Sequence, residues 1–176
     1  LAGLRAHGLP WEPPRLHVAE HLDADDLTEG FLQRCVTRSL CTDVELSQAS
    51  CTANHIYAWH VAARMGWRTT LFIEDDALLP GRFHAELRRR IFELAPGWLI
   101  LNFACFATPP GTGSRQCSRG YVLSRAGVLA FKRSAGVIDK GADWLVYEVS
   151  AKAERDNQDD NVTVTHHGGM PPVVEL

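Results

Sequence analysis

Apolar residues are concentrated in short continuous runs that are bounded by polar residues or glycine. A short run that is apolar without alternation is typical of a strand covered on both faces. The first run, 69–73, is rich in β-branched side chains and stops at three consecutive acids. A later run, 162–165, alternates valine with threonine. We therefore predict strands over 69–73, 98–104, 120–123 and 162–165.

Between these runs the apolar residues recur at spacings of three and four, which is typical of amphipathic helices. Ser47 is predicted to cap the helix before the first strand, and Gly66 to follow its last residue. Ser124 is predicted to cap a later helix. The predicted helices are 47–64, 82–94, 124–133 and 141–152, with an earlier one that starts at Asp23 and reaches Val36.

Helices that alternate with short buried strands indicate an α/β fold. The chain has 176 residues, a length that fits one domain over 1–176. Residues 1–22 contain three prolines among polar residues, so we predict a loop-rich lead-in there. Residues 107–118, rich in glycine, proline, threonine and serine, are predicted to form a loop.

Net charge and hydropathy limit the kinds of binding partner that the protein is expected to have. Eighteen basic and 21 acidic residues give a net charge of −3, which offers no electrostatic footprint for nucleic acid. The longest strongly apolar stretch, 98–107, is too short to cross a bilayer. The basic run 88–90 is interpreted as the solvated side of a helix, with peripheral docking to a membrane surface as the alternative. The compartment stays open: the cytoplasm is favoured, or the endoplasmic reticulum or Golgi lumen for a eukaryotic protein.

The chain has five cysteines and no C-x-x-C pair, so a structural zinc site is not expected. Most of the thiols are interpreted as small buried side chains. A disulfide joining Cys35 to Cys41, or Cys105 to Cys117, is the alternative.

The acids Glu74, Asp75 and Asp76 follow the first predicted strand. Because strand side chains alternate between faces, Glu74 and Asp76 are predicted to point to the same side. Two carboxylates at the carboxyl end of a strand suit a hard divalent cation, Mg²⁺ or Mn²⁺. The alternative is a solvated turn in which Asp75 or Asp76 caps the next helix.

The helix before that strand places Cys51, His55 and Trp59 four residues apart on one face. His55 is a candidate contact for phosphate or a donor sugar. The alternative is a hydrogen-bonded packing histidine, because its neighbours are alanine, isoleucine and tryptophan.

Several segments together resemble glycosyltransferase family 25, the lipopolysaccharide and procollagen β-galactosyltransferase group. Residues 47–55 read S-Q-A-S-C-T-A-N-H, Trp59 follows four residues on, and 71–77 read L-F-I-E-D-D-A. The family writes these as G-E-I-G-C-x-x-S-H, a tryptophan, and an apolar strand ending in E-D-D. Residues 120–127, G-Y-V-L-S-R-A-G, are similar to its A-Y-x-[IL]-S-x-x-G segment, and 142–144 lie where it has a Val-Asp pair.

The resemblance implies a Rossmann-like fold of the nucleotide-sugar transferase (GT-A) type, a UDP-sugar donor, and Mn²⁺ or Mg²⁺ on its diphosphate. It makes Glu74 and Asp76 the metal-linked pair and brings Asp75 to the ribose or sugar. Gln48, at the position of the family's glutamate, and His55 become candidate donor contacts. The family opens with a strand carrying I-N-L-x-x-R-x-x-R, and no such pattern occurs before the first helix, so that first strand is expected to be missing.

An acceptor hydroxyl must lose its proton to a nearby base during sugar transfer. Asp143 is the first candidate and Glu148 the second; the alternative for Asp143 is a helix N-cap. His166 and His167, at the end of the last predicted strand, are candidate metal or phosphate contacts, with a surface loop as the alternative.

The predicted function is transfer of a hexose, galactose or glucose, from a UDP-sugar to a glycan or protein-linked hydroxyl, with a divalent metal and inversion of configuration. A transferase-like domain that has lost catalysis and binds glycan or protein is the alternative, favoured by Gln48 and Asn54 where the family has glutamate and serine. A metal-dependent phosphoester hydrolase that uses the same acids ranks third.

Overall fold

The structure, a computed structural model, places four helices and six strands in the part of the chain that it describes. The described residues are 23, 25, 27–30, 46–74, 77, 81–94, 96–103, 106–107, 115–116, 119–136, 138, 141–156 and 164–166. The helices are α1 (Leu46–Met65), α2 (Phe83–Glu93), α3 (Arg125–Ser134) and α4 (Ala142–Asp156). The strands are β1 (Thr69–Ile73), β2 (Ile100–Asn102), β3 (Phe106–Ala107), β4 (Arg115–Gln116), β5 (Gly120–Ser124) and β6 (Val164–His166).

The later helices and the four strands predicted from the sequence are confirmed, with shifts at their ends. The helix predicted from Asp23 does not begin there: Asp23, Leu27 and Thr28 are not helical, and the described helical residues of that segment are Glu29 and Gly30. The strand predicted over 98–104 is shorter, and the loop predicted over 107–118 contributes to a small antiparallel pair, β3 with β4. Ser47 lies inside α1 and is not its cap, because the helix already begins at Leu46. The lead-in 1–22, most of the helix predicted from Asp23, and Cys35, Cys41, Cys105 and Cys117 lie outside the described residues.

The main sheet has the strand order β1-β5-β2-β6. The central strand β5 runs antiparallel to both β1 and β2, whereas β6 runs parallel to β2. The α/β prediction is therefore confirmed, but the described strands form a mixed sheet and not the parallel sheet that a Rossmann-like fold implies. The described residues of the connection from β2 to β5 form the β3–β4 pair, and antiparallel neighbours, unlike parallel ones, need no crossover helix between them.

Both faces of the sheet are covered, which explains the continuous apolar runs. One face packs against α1, α3 and α4, and α2 covers the other. Three successive residues of β5 are consequently fully buried: Tyr121 and Leu123 lie in the first core cluster, and Val122 in the second. The first cluster comprises Trp59, Ala62, Phe72, Ile100, Tyr121, Leu123, Val128, Phe131, Val146 and Val149.

The turn from β5 into α3 is held by hydrogen bonds at its first residues. The predicted cap is confirmed: Ser124 Oγ accepts a hydrogen bond from the backbone N–H of Gly127, at 3.1 Å. The backbone N–H of Ser124 donates to the carbonyl of Leu99 at 3.0 Å, and that of Arg125 donates to Arg68 at 2.8 Å. At the end of α1, Gly66 has φ +67°, the left-handed conformation that glycine adopts most easily.

Two arginines of the basic run 88–90 in α2 form ion pairs with acids on the same helix. Arg89 pairs with Glu86 and Glu93, and Arg90 also pairs with Glu86. Hydrogen bonds from Arg89 and Arg90 lower the pKa of Glu86 from its ordinary value of 4.5 to about 2. These i,i+3 and i,i+4 pairs fit the interpretation of 88–90 as a solvated helix face.

The lowered pKa of Glu86 predicts a pH dependence of folding stability. A carboxyl whose pKa is lower in the folded chain contributes stability above pH 4.5, and this contribution is lost as the pH falls to about 2. The unfolding free energy of the natural protein should therefore fall more steeply over that window than that of Glu86→Gln, as measured by urea unfolding. Because salt screens exposed pairs, the difference should shrink in high salt. Equal slopes for the two proteins at low salt would contradict the prediction.

No helix in the described part of the chain combines the length and the apolar composition that a membrane crossing needs.

Candidate functional site

The candidate site is built around His55, which lies on the side of α1 that faces the sheet. Its side chain is buried, as is that of Trp59 one turn on, and Cys51 one turn before is half-buried. The four-residue spacing therefore places all three on one face, as predicted. Small residues on α1, Ala49 and Ala53, are buried against Ile138 and let this part of the helix pack closely.

The hydroxyl of Tyr121, in the middle of the sheet, joins the helix to β5. The indole N–H of Trp59 donates to this oxygen at 2.8 Å, and His55 Nδ1 lies 2.8 Å from it. The phenol ring stacks on Phe72, with ring centroids 5.0 Å apart. Burial raises the pKa of Tyr121 well above its ordinary value; the hydrogen bond from Trp59 opposes this shift, and the charge of Glu74 adds to it.

Glu74 follows β1 and brings a carboxylate to the same place. Its backbone N–H donates to the carbonyl of Arg119 at 3.1 Å, which continues the pairing of β1 with the segment leading into β5. Its Oε1 lies 3.2 Å from His55 Nε2 and 3.8 Å from Cys51 Sγ. The side chain is 22% exposed, against 10% for His55, so the carboxylate lies between the core and solvent.

The other two acids of the predicted cluster, Asp75 and Asp76, lie outside the described residues, as does His167. The predicted convergence of Glu74 with Asp76 therefore stays a prediction. His55 occupies the position of a buried, hydrogen-bonded histidine, with a partner on each ring nitrogen.

The structure places His166 at the far edge of the sheet. In β6 its backbone pairs with that of Asn102 in β2. Two strands, β5 and β2, separate β6 from β1. Strands spaced about 4.8 Å apart put β6 roughly 14 Å from β1. His166 is therefore not a neighbour of Glu74 within the sheet.

Gln48 lies beside Gly141, where α4 begins. A side-chain carbon added at Gly141 would lie 3.5 Å from the amide oxygen of Gln48, so this exposed side chain borders the first turn of α4. The carbonyl of Gly141 accepts the hydrogen bond from Leu145 N–H, which makes Gly141 the cap and places Asp143 within the first turn. A carboxylate there is favoured by the helix dipole.

Gln48, which borders the start of α4, lies apart from His55 on α1. Gln48 and His55 are seven residues apart on α1, or about 10 Å at the usual rise of an α-helix. Gly141, at the start of α4, therefore lies near the other end of this helix face. Glu148 is exposed and lies further along α4.

Cys51, His55 and Glu74 form a group of three potential ligands whose ligand atoms all lie within 4.8 Å of one another. A set of sulfur, nitrogen and oxygen is typical of Zn²⁺, whereas Mg²⁺ and Mn²⁺ prefer oxygen ligands. Of the residues predicted to hold Mg²⁺ or Mn²⁺, Glu74 is the one whose carboxylate the structure describes. The described donor set therefore does not by itself fit the cation implied by the resemblance.

Tyr121 is the member of the site that the sequence analysis missed. A tyrosine inside an apolar strand needs a hydrogen-bond partner for its hydroxyl, as does the indole of a buried tryptophan. That requirement could have singled out Tyr121 and Trp59, but not each as the partner of the other, because they are 62 residues apart.

Comparisons of the chain with protein families, with curated proteins and with solved structures found no match. The resemblance to glycosyltransferase family 25 rests on residues 47–59, 71–77, 120–127 and 142–144. The first three of these segments each contribute a side chain to the hydrogen-bonded group, and 142–144 does not.

Proposed function

We propose that the protein is a glycosyltransferase that moves a hexose, galactose or glucose, from a UDP-sugar to a hydroxyl of a glycan or glycoprotein. One observation carries the proposal most strongly. Three of the four segments that resemble one transferase family, well separated in the chain, meet in a single hydrogen-bonded group: His55 and Trp59, Glu74, and Tyr121. Such convergence is what a shared site requires, and chance similarity of separate segments does not require it.

The position of Glu74 suits the donor side of the reaction. It follows a buried strand, and its carboxylate is partly exposed and held by His55. In the proposed site Asp76 completes a divalent-metal site with Glu74, and Asp75 contacts the ribose or sugar. A divalent cation at this place would stabilise the negative charge on the diphosphate leaving group.

The acceptor hydroxyl is proposed to bind at the start of α4. Asp143 is half-buried in the first turn of the helix, two residues after Gly141, which the exposed Gln48 borders. In this proposal Asp143 takes the proton of the acceptor hydroxyl as the new glycosidic bond forms, on the face opposite the departing UDP, so the configuration at the sugar inverts. Trp144, adjacent and 46% exposed, offers an aromatic surface beside it.

Binding of UDP with and without Mn²⁺ tests the proposal. Calorimetric titration of UDP into the protein should show binding that requires Mn²⁺. Glu74→Gln keeps the shape of the side chain and removes its charge, so metal-dependent affinity should fall by about tenfold or more, equivalent to 1.4 kcal/mol. Glu93→Gln, on the exposed side of α2, should leave the affinity unchanged. No Mn²⁺-dependent binding by the natural protein would refute the proposal.

The second candidate function is that of a transferase-like domain that binds glycan or protein without catalysis. The neutral Gln48, exposed where the family has a charged glutamate, favours it. Asp76→Ala separates the two functions, since it should abolish sugar transfer by an enzyme and leave glycan binding by an inactive domain intact. If the natural protein transfers sugar and Asp76→Ala does not, the second function is excluded.

A further inference from the structure

Three hydrogen bonds run in series from the core to the partly exposed carboxylate of Glu74. They join Trp59 to Tyr121, Tyr121 to His55, and His55 to Glu74, over 2.8, 2.8 and 3.2 Å. An indole N–H can only donate, so the phenol oxygen accepts from Trp59. The direction of the first bond is thereby fixed.

The proton of the Tyr121 hydroxyl then determines the second bond. Because burial raises the pKa of Tyr121 well above its ordinary value, the phenol keeps its proton. Its partners among the described residues are Trp59, which is a donor, and His55 Nδ1. A buried hydroxyl that donates to nothing costs about 1–3 kcal/mol, so Tyr121 donates and Nδ1 accepts.

An imidazole that accepts at Nδ1 carries its proton on Nε2. That proton points at Glu74 Oε1 and completes the third hydrogen bond. The other neutral tautomer would bring the Nε2 lone pair within 3.2 Å of a carboxylate oxygen and leave the Tyr121 proton without this acceptor. A doubly protonated His55 would donate to Glu74, but its Nδ1 could not accept the proton of the Tyr121 hydroxyl.

We propose that Tyr121 is a positioning residue that fixes His55 as the tautomer with its proton on Nε2, so that His55 donates to Glu74 and is not a metal ligand. A cation could bind Nε2 only through the lone pair that the proton occupies. The three potential ligands Cys51, His55 and Glu74 are therefore a hydrogen-bonded arrangement that orients one carboxylate, although their spacing resembles that of a zinc site.

The tautomer can be measured directly on the natural protein. Two-bond correlation NMR spectra of isotopically labelled protein distinguish a protonated from an unprotonated ring nitrogen, and His55→Gln identifies the His55 signals by their loss. We expect a protonated Nε2 and an unprotonated Nδ1. The reverse pattern would overturn the proposal, whatever the behaviour of the variants.

A variant tests whether Tyr121 is the cause. Tyr121→Phe removes the hydroxyl and keeps the ring, so Nδ1 loses its donor while Glu74 still favours the proton on Nε2. The fraction of His55 with its proton on Nδ1 should rise, and the two nitrogen shifts should move closer together. Tyr57→Phe is the matched control, because Tyr57 is exposed on the same helix as His55. A His55 pattern that Tyr121→Phe leaves unchanged would overturn the role of Tyr121.

Zinc provides a measurement that needs no variant. One equivalent of Zn²⁺ should leave the ring-nitrogen shifts of His55 unchanged. Loss of the Nε2 proton together with a metal-induced shift of that nitrogen would show that His55 is a zinc ligand and would overturn the proposal.

The catalytic consequence rests on the proposed function. If Glu74 holds the donor as proposed, Tyr121→Phe should lower kcat/KM for sugar transfer about tenfold, with most of the loss in kcat, and Tyr57→Phe should not. Absence of transfer by the natural protein would overturn the proposed function and leave the NMR result standing. The Nδ1-protonated pattern in a protein that transfers sugar would overturn the positioning role alone.

Discussion

Replacement of Trp59 with alanine should remove about 3–5 kcal/mol of folding free energy, the usual cost of truncating a large buried aromatic side chain. Trp59 is fully buried, and its ring meets that of Phe131 edge to face, with centroids 5.1 Å apart. The change also removes the donor to the Tyr121 hydroxyl. Since small domains are stable by only about 5–15 kcal/mol, this is a large part of the total.

Urea unfolding followed by circular dichroism measures this effect, as a lower midpoint with the same slope. Trp144→Ala is the matched control, because Trp144 is 46% exposed. We expect the control to lie within about 1 kcal/mol of the natural protein. Similar losses for the two variants would show that Trp59 is not part of a close-packed core.

Gly127→Ala should destabilise the protein by about 2–4 kcal/mol, from overpacking and a disturbed backbone hydrogen bond. Gly127 lies in α3, where alanine would ordinarily gain about 1 kcal/mol from helix propensity. A methyl group there would lie 2.1 Å from the carbonyl oxygen of Leu99. That carbonyl accepts the N–H of Ser124, so moving it away strains the start of the helix, and the steric cost exceeds the helix gain.

The matched control is Gly136→Ala, where an added methyl group would meet nothing within 4 Å. Thermal unfolding should show a clear drop in Tm for Gly127→Ala and little change for Gly136→Ala. A more stable Gly127→Ala variant would show that helix propensity outweighs the close approach of α3 to Leu99.

Local sequence signals predicted most of the helices and strands. They do not contain the direction of each strand in the sheet, so the topology could not be predicted from them. The run 69–73 is continuous and ends at charged residues, so both ends of β1 could be predicted. Ser124 could be identified as a cap because serine is among the preferred capping residues and a helical pattern follows it. The antiparallel direction of β5 could not be predicted, because an apolar strand has the same pattern in either direction.

Part of the candidate site could likewise be predicted from the sequence, and part of it could not. The shared face of Cys51, His55 and Trp59 follows from helix periodicity, so it could be predicted from residues four apart. The meeting of His55 with Tyr121 depends on the packing of α1 against β5, which spacing along the chain does not encode. The hydrogen-bonded alternative for His55 could be stated in advance, but its two partners could not.

The hydrogen bond from Trp59 to Tyr121 also has a practical consequence. Indole fluorescence responds to the electrostatic surroundings of the ring, and here those surroundings are linked through two further hydrogen bonds to a carboxylate that reaches solvent. The fluorescence emission of Trp59 is therefore expected to change when a ligand binds beside Glu74. Comparing the emission of the natural protein with that of a variant lacking this indole would isolate its signal from the other four tryptophans.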